Sequence, residues 1–81
     1  MSLTVRLFAR LREIAGADEL QRPAAGAATV ADVWQGLTID WPALAPYAGS
    51  VSCAVNAQYA RMTTPVADGD EVAFLPPVSG G

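Results

Sequence analysis

One apolar helical stripe set between segments of strict apolar alternation decides what this chain can become. Val30, Val33, Trp34 and Leu37 fall at i, i+3, i+4 and i+7, the spacing of a single buried helix face. Leu3, Val5 and Leu7 alternate with Thr4, Arg6 and Phe8, the period of a half-buried strand. Glu71-Val72-Ala73-Phe74-Leu75 alternates again near the end, and Pro76-Pro77 stops it, because proline cannot donate to a ladder. A one-faced helix and one-faced strands each need cover. In a chain of 81 residues they must share one core, an α+β layer arrangement in a single domain.

The remaining elements follow from local signals. Leu11 to Gly16 predicts a helix of about two turns stopped by a glycine cap. Asp18 to Pro23 predicts a short strand. Thr29 is a good N-cap with Asp32 three residues later, and Pro42 suits the first position of a short helical turn. Val51, Cys53 and Val55 predict a third strand; Asn56-Ala57-Gln58 turns into a fourth, around Tyr59 to Met62. Asp68-Gly69-Asp70 predicts a tight turn. The expected order is strand, helix, strand, helix and three strands.

Composition closes several functional classes. Net charge is −3, which disfavours nucleic acid as a partner. There is no histidine, and Cys53 is the lone cysteine, so the chain offers no disulfide, no His or Cys metal cluster and no Ser-His or Cys-His pair. Cys53 alternates with two valines and is expected as a core thiol. Asp68, Asp70 and Glu71 form a carboxylate cluster that a solvated hairpin turn explains better than a metal. All five basic residues are arginines: Arg6, Arg10, Arg12, Arg22 and Arg61. An activated C-terminus would therefore find no lysine on its own chain, although a preference for arginine codons accounts for the same count. The opening residues show no signal-peptide pattern and no run has membrane-spanning length. A cytoplasmic location is expected.

The sequence ends Val78-Ser79-Gly80-Gly81. Glycine has no Cβ, so such an ending can thread a narrow tunnel, and prolines stiffen its root. Residues 1–75 are expected to fold and residues 76–81 to form a flexible tail. A free α-carboxylate is an anion at neutral pH and a poor electrophile, so chemistry at Gly81 would require activation by a separate enzyme.

The segment from Asp68 to Gly81 resembles the C-terminal signature of the small subunits of molybdopterin synthase, the MoaD-type sulfur carriers. The stretch from Val5 to Gly16 is similar to that family's opening, and Thr29-Val30 and Val55-Asn56 also match. The resemblance implies a ubiquitin-like β-grasp fold, a mixed sheet of about five strands with helices on one face. It implies that Gly81, presented by Gly80, is adenylated and converted to a thiocarboxylate. That group would donate sulfur to cyclic pyranopterin monophosphate to form the molybdopterin dithiolene. The implied partners are a MoeB-type adenylating enzyme that uses ATP, a sulfurtransferase or cysteine desulfurase system, and the large synthase subunit in a heterotetramer. No cofactor bound to this chain is expected, and no activity of the chain alone.

Alternation suggests where partners dock. Phe8 shares the polar face of the first strand, and Leu75 shares a face with Glu71 rather than with Val72 and Phe74. Apolar residues on a polar face suggest a contact patch, with Tyr59 as a third member; the alternative is that they cover loops or helix ends of the same domain. Arg12 and Arg61 are candidates for pairing with an acidic partner rim. Pro76, Pro77, Val78 and Ser79 complete the expected contact segment. The alternatives are a carrier for thiamine or tRNA thiolation, a ubiquitin-like protein modifier, and a plain interaction module.

Overall fold

The computed structural model describes residues 2–77. The chain runs β1 (Ser2–Leu7), α1 (Ala9–Ala15), β2 (Glu19–Pro23), α2 (Val30–Asp40), a 3-10 helix (Pro42–Tyr47), β3 (Ser52–Val55), β4 (Gln58–Ala60) and β5 (Glu71–Leu75). The five strands form one mixed sheet in the order β2-β1-β5-β3-β4. β1 and β5 are parallel; every other neighbouring pair is antiparallel. The expected β-grasp arrangement is therefore present, with β5 in the middle of the sheet.

The alternation determines which side the helices cover. Leu3, Val5 and Leu7 from β1, Val72 and Phe74 from β5, and Cys53 from β3 are buried against Leu11 of α1, the α2 stripe and Leu44. All four stripe residues, Val30, Val33, Trp34 and Leu37, are buried as expected. Phe74 is fully buried, between Leu7 and Cys53 in register. Its ring lies 5.0 Å from that of Trp34, tilted at 51°, a favourable aromatic geometry.

The caps fall where the sequence places them. Gly16 ends α1 with φ 75, in the left-handed region that favours glycine, and its N–H donates to the Arg12 carbonyl at 2.8 Å. Asp32 reaches back from the first turn of α2 and accepts the N–H groups of Ala28 (2.8 Å) and Thr29 (3.1 Å). Those bonds hold its carboxyl below the ordinary aspartate range. No helix among the described residues is long and apolar enough to cross a membrane.

Three details differ from the sequence expectation. The fourth strand ends at Ala60 rather than Met62. Beyond Ala60, the Arg61 N–H donates to the Thr64 hydroxyl and the Met62 carbonyl accepts from Ala31 at the start of α2, so the backbone leaves the ladder to serve the helix. The β3–β4 turn is only Asn56-Ala57, both residues at positive φ (51 and 69), the handedness a two-residue hairpin needs. Asp68-Gly69-Asp70 does form a turn, with Gly69 at φ 90, but it does not make a hairpin, since β5 pairs with β1 and β3 and not with β4.

Asp70 clamps that turn. Its carboxylate accepts from the Asn56 side-chain amide (3.0 Å) and the Ala67 N–H (2.8 Å). The Asn56 amide oxygen accepts the Glu71 N–H at 3.0 Å. The Asn56 amide and the Ala67 N–H together lower the Asp70 pKa.

Truncating the central ring tests the core. Phe74→Ala is expected to cost about 3–5 kcal/mol, read as a fall in denaturant midpoint. Asp32 and Asp70 are both held below their unfolded pKa of ~3.9, so their contribution is complete above that value and is lost as pH falls through the lower folded values. Thermal midpoints measured from pH 5 downward should fall in wild type, and less steeply in Asp70→Asn.

Candidate functional site

β5 is paired on both sides as far as Phe74, with Leu7 of β1 and Cys53 of β3, and on the β3 side as far as Leu75, whose register partner is Ser52. Pro76 and Pro77 follow, and with no N–H to donate they cannot extend the ladder. The chain thus leaves the sheet from its central strand. β1 and β4 run in the same direction as β5, so Phe8 after β1, Arg61 after β4 and Pro76 after β5 all lie at one end of the sheet.

The face opposite the helices is open, and the apolar residues expected there do lie together. Leu7 pairs with Phe74, so the next residues, Phe8 and Leu75, stand beside each other about one strand spacing (~4.8 Å) apart. Both alternate with buried neighbours and therefore point away from the helices. Phe8 is 39% exposed and Tyr59 90%. Tyr59 belongs to the next row, Tyr59–Ala54–Ala73–Arg6, read across β4, β3, β5 and β1. Ala54 and Ala73 stand between Tyr59 and Leu75, and with Phe8 these residues make an apolar strip on this face, bordered by Arg6 and Ser52.

The β1–α1 junction sets the position of Phe8. Phe8 keeps extended dihedrals (φ −122, ψ 152), and Ala9 immediately takes φ 51 to start the helix. A left-handed alanine is strained, and the strain allows the chain to leave the strand within one residue. The Arg6 guanidinium sits 5.8 Å over the Phe8 ring and 3.8 Å from the Glu71 carboxylate, bracing the ring from one side. Sequence reasoning missed this arginine. Its signal was the shared parity of Arg6, Phe8 and Glu71.

Arg12 and Arg61 are exposed and form no ion pair within 4.0 Å among the described residues. Arg12 lies one helical turn beyond Phe8, its N–H donating to the Phe8 carbonyl at 3.4 Å. Pro76 is half-buried and Pro77 exposed. Val78, Ser79, Gly80 and Gly81 lie outside the described residues.

The other candidates resolve as structural. Cys53 is buried, its thiol donates to the Ala60 carbonyl at 3.3 Å, and burial pushes its pKa up, which keeps it a thiol rather than a thiolate. No group of three His, Cys, Asp or Glu residues that could hold a metal occurs among the described residues.

Residues 5–81 match the model of the ThiS family. The chain belongs to the ThiS family. It is 41% identical over 81 residues to the molybdopterin synthase sulfur carrier subunit of Escherichia coli K12, covering 98% of this chain and 99% of that one. It is 34% identical to small archaeal modifier protein 1 of Haloferax volcanii, over 94% of this chain and 97% of that one. A crystal structure of that modifier superposes with a TM-score of 0.83, covering 95% of this chain and 98% of that one at 30% identity. The fold is also that of a chain in the complex of subunits 1 and 2 of the Helicobacter pylori molybdopterin-converting factor (TM-score 0.68, 24% identity, full coverage of both). The resemblance to molybdopterin synthase small subunits and the ubiquitin-like β-grasp expectation are both borne out.

If Tyr59 serves docking and not folding, Tyr59→Ala should change the unfolding free energy by no more than about 0.5 kcal/mol, measured by denaturant titration beside Phe74→Ala.

Proposed function

We propose that this ThiS-family chain is the sulfur-carrier small subunit of molybdopterin synthase and that its Gly81 is the reactive residue. The observation that carries the reading is 41% identity, over 98% of this chain and 99% of the relative, to a subunit of that name. The carboxylate of Gly81 is a poor electrophile, so a MoeB-type enzyme would join it to AMP from ATP with loss of pyrophosphate. A sulfurtransferase or desulfurase system would then supply sulfur as a protein persulfide, whose outer sulfur displaces AMP and whose S–S bond a second thiol of that system reduces, leaving a thiocarboxylate. That soft nucleophile would enter the large subunit, which provides the acid–base groups, and transfer its sulfur to cyclic pyranopterin monophosphate. A dithiolene holds two sulfurs, so two carriers are consumed per product, in keeping with a heterotetramer.

The open strip fits this cycle. Phe8, Leu75 and Tyr59 form the apolar centre of a docking surface, and Arg12 and Arg61 lie at the end from which the tail departs. Pro76 and Pro77 fix its exit, and Val78 and Ser79 would line the entry to a partner's tunnel. One surface would serve the adenylating enzyme and the large subunit in turn, at a cytoplasmic location.

A second reading is favoured by the likeness to small archaeal modifier protein 1. In it, Gly81 would form an isopeptide with a lysine of a target protein.

Intact mass of the chain from its native host, with fragmentation, separates the two. Replacement of one oxygen by sulfur at Gly81 is the expected result, and a Gly81-to-lysine linkage would establish the modifier. Leu75→Asp should weaken both complexes by at least about 2 kcal/mol, roughly 30-fold in Kd; unchanged affinity for both would remove the strip from the proposal.

A further inference from the structure

Resting on the reading of the apolar strip as a docking surface, we infer that Arg6 is a positioning residue for docking. With Glu71 as its anchor, it presets the Phe8 ring in the orientation a partner meets, and it acts through that ring without needing to touch the partner.

The backbone of Phe8 is already fixed. Phe8 keeps extended dihedrals, and Ala9 at φ 51 sets the turn into α1. What remains free is rotation about the side-chain bonds of a ring that is 39% exposed. Arg6 restricts that rotation. The two residues are two apart in extended backbone, so their side chains leave the same face. The guanidinium carbon lies over the ring, 5.8 Å from its centroid, inside the ~6 Å range of cation–π attraction.

The hydrogen bonding of Arg6 fits a side chain held for the ring and not for a polar network. Its Nε–H is buried with no acceptor among the described residues, a costly state for a donor. Its Nη1 lies 3.8 Å from the Glu71 carboxylate, an ion-pair distance too long for a hydrogen bond. Glu19, its register partner on β2, is a second carboxylate beside it. No Arg6–Glu19 ion pair within 4.0 Å occurs among the described residues. The guanidinium therefore bridges Glu71 and Phe8. Glu71 is a firm anchor for it. The Asn56 side-chain oxygen accepts the Glu71 N–H at 3.0 Å, and the Glu71 carbonyl accepts the Asn56 N–H at 2.8 Å.

This arrangement has a consequence for affinity. A partner that binds a freely turning ring must stop its rotation, and that loss opposes binding. A ring held by Arg6 has lost the freedom beforehand. The ion pair with Glu71 keeps the cation in place while the chain is free, so the ring is set before any partner arrives.

The test uses the full chain and the large synthase subunit of the same host, with Kd from calorimetry. Arg6→Gln is made in wild type and in Phe8→Ala. It should weaken binding about threefold or more in wild type, and by less than about 1.5-fold once the ring is gone. Fluorine-19 spectra of the free chain labelled with fluorophenylalanine supply the second readout, since Phe8 and Phe74 are its only phenylalanines. The Phe8 resonance should shift in Arg6→Gln and in Glu71→Gln, while that of the buried Phe74 stays in place and reports an intact fold. Unchanged affinity in Arg6→Gln, an equal loss with and without the Phe8 ring, or an unmoved Phe8 resonance would overturn the inference. Phe8→Ala alone tests the docking reading. Unchanged affinity there removes that reading and the inference with it, whereas a loss there without coupling to Arg6 removes the inference only.

Discussion

The burial of Phe74 under Trp34 is the contact on which the other features depend. It pins β5 against the helical layer from the centre of the sheet, between β1 and β3. Because side chains alternate along a strand, fixing Phe74 inward fixes Leu75 outward. The same parity turns Leu7 in and Phe8 out. One buried ring thus determines both the core and the direction in which the apolar strip faces. A slip of one residue in β5 would expose Phe74 and bury Glu71 together.

The functional surface is built from what the core does not use. A sheet with helices on both faces would have no strip to offer. Here the open face carries small residues, Ala54 and Ala73, between larger ones at its edges, and Arg6 steadies Phe8 without covering it. In the proposed function, chemistry falls to the main chain at Gly81 and partner recognition to side chains on the sheet. On the proposed function, this division would let an 81-residue chain without histidine serve a multistep reaction.

Most of the fold was legible because its signals are local. The α2 stripe, the Gly16 cap, the Thr29–Asp32 box and the alternation in β1 and β5 each lie within a few residues and appeared as expected. The apolar strip was legible for the same reason: parity alone put Phe8 and Leu75 on the polar faces. What escaped depends on contacts distant in sequence. Strand four was drawn too long because nothing near Met62 announces that its carbonyl will serve Ala31. Asp70 looked like a solvated turn residue because its partner Asn56 is fourteen positions away. The bracing of Phe8 by Arg6 was hidden for a related reason, since it involves Glu71 on a strand whose pairing no single segment reveals. Gly80 and Gly81 drew attention by residue type alone.

The position of β5 also has a mechanical consequence. Its ladder bonds to β1 and β3 run along both flanks, four register pairs on each side. A pull on the chain beyond Pro77 acts along the strand axis and loads both rows at once, in shear. On an edge strand the same pull would meet one row. In the proposed cycle the end would be held by one protein and then withdrawn for the next, and a central strand is a root that holds under such tension.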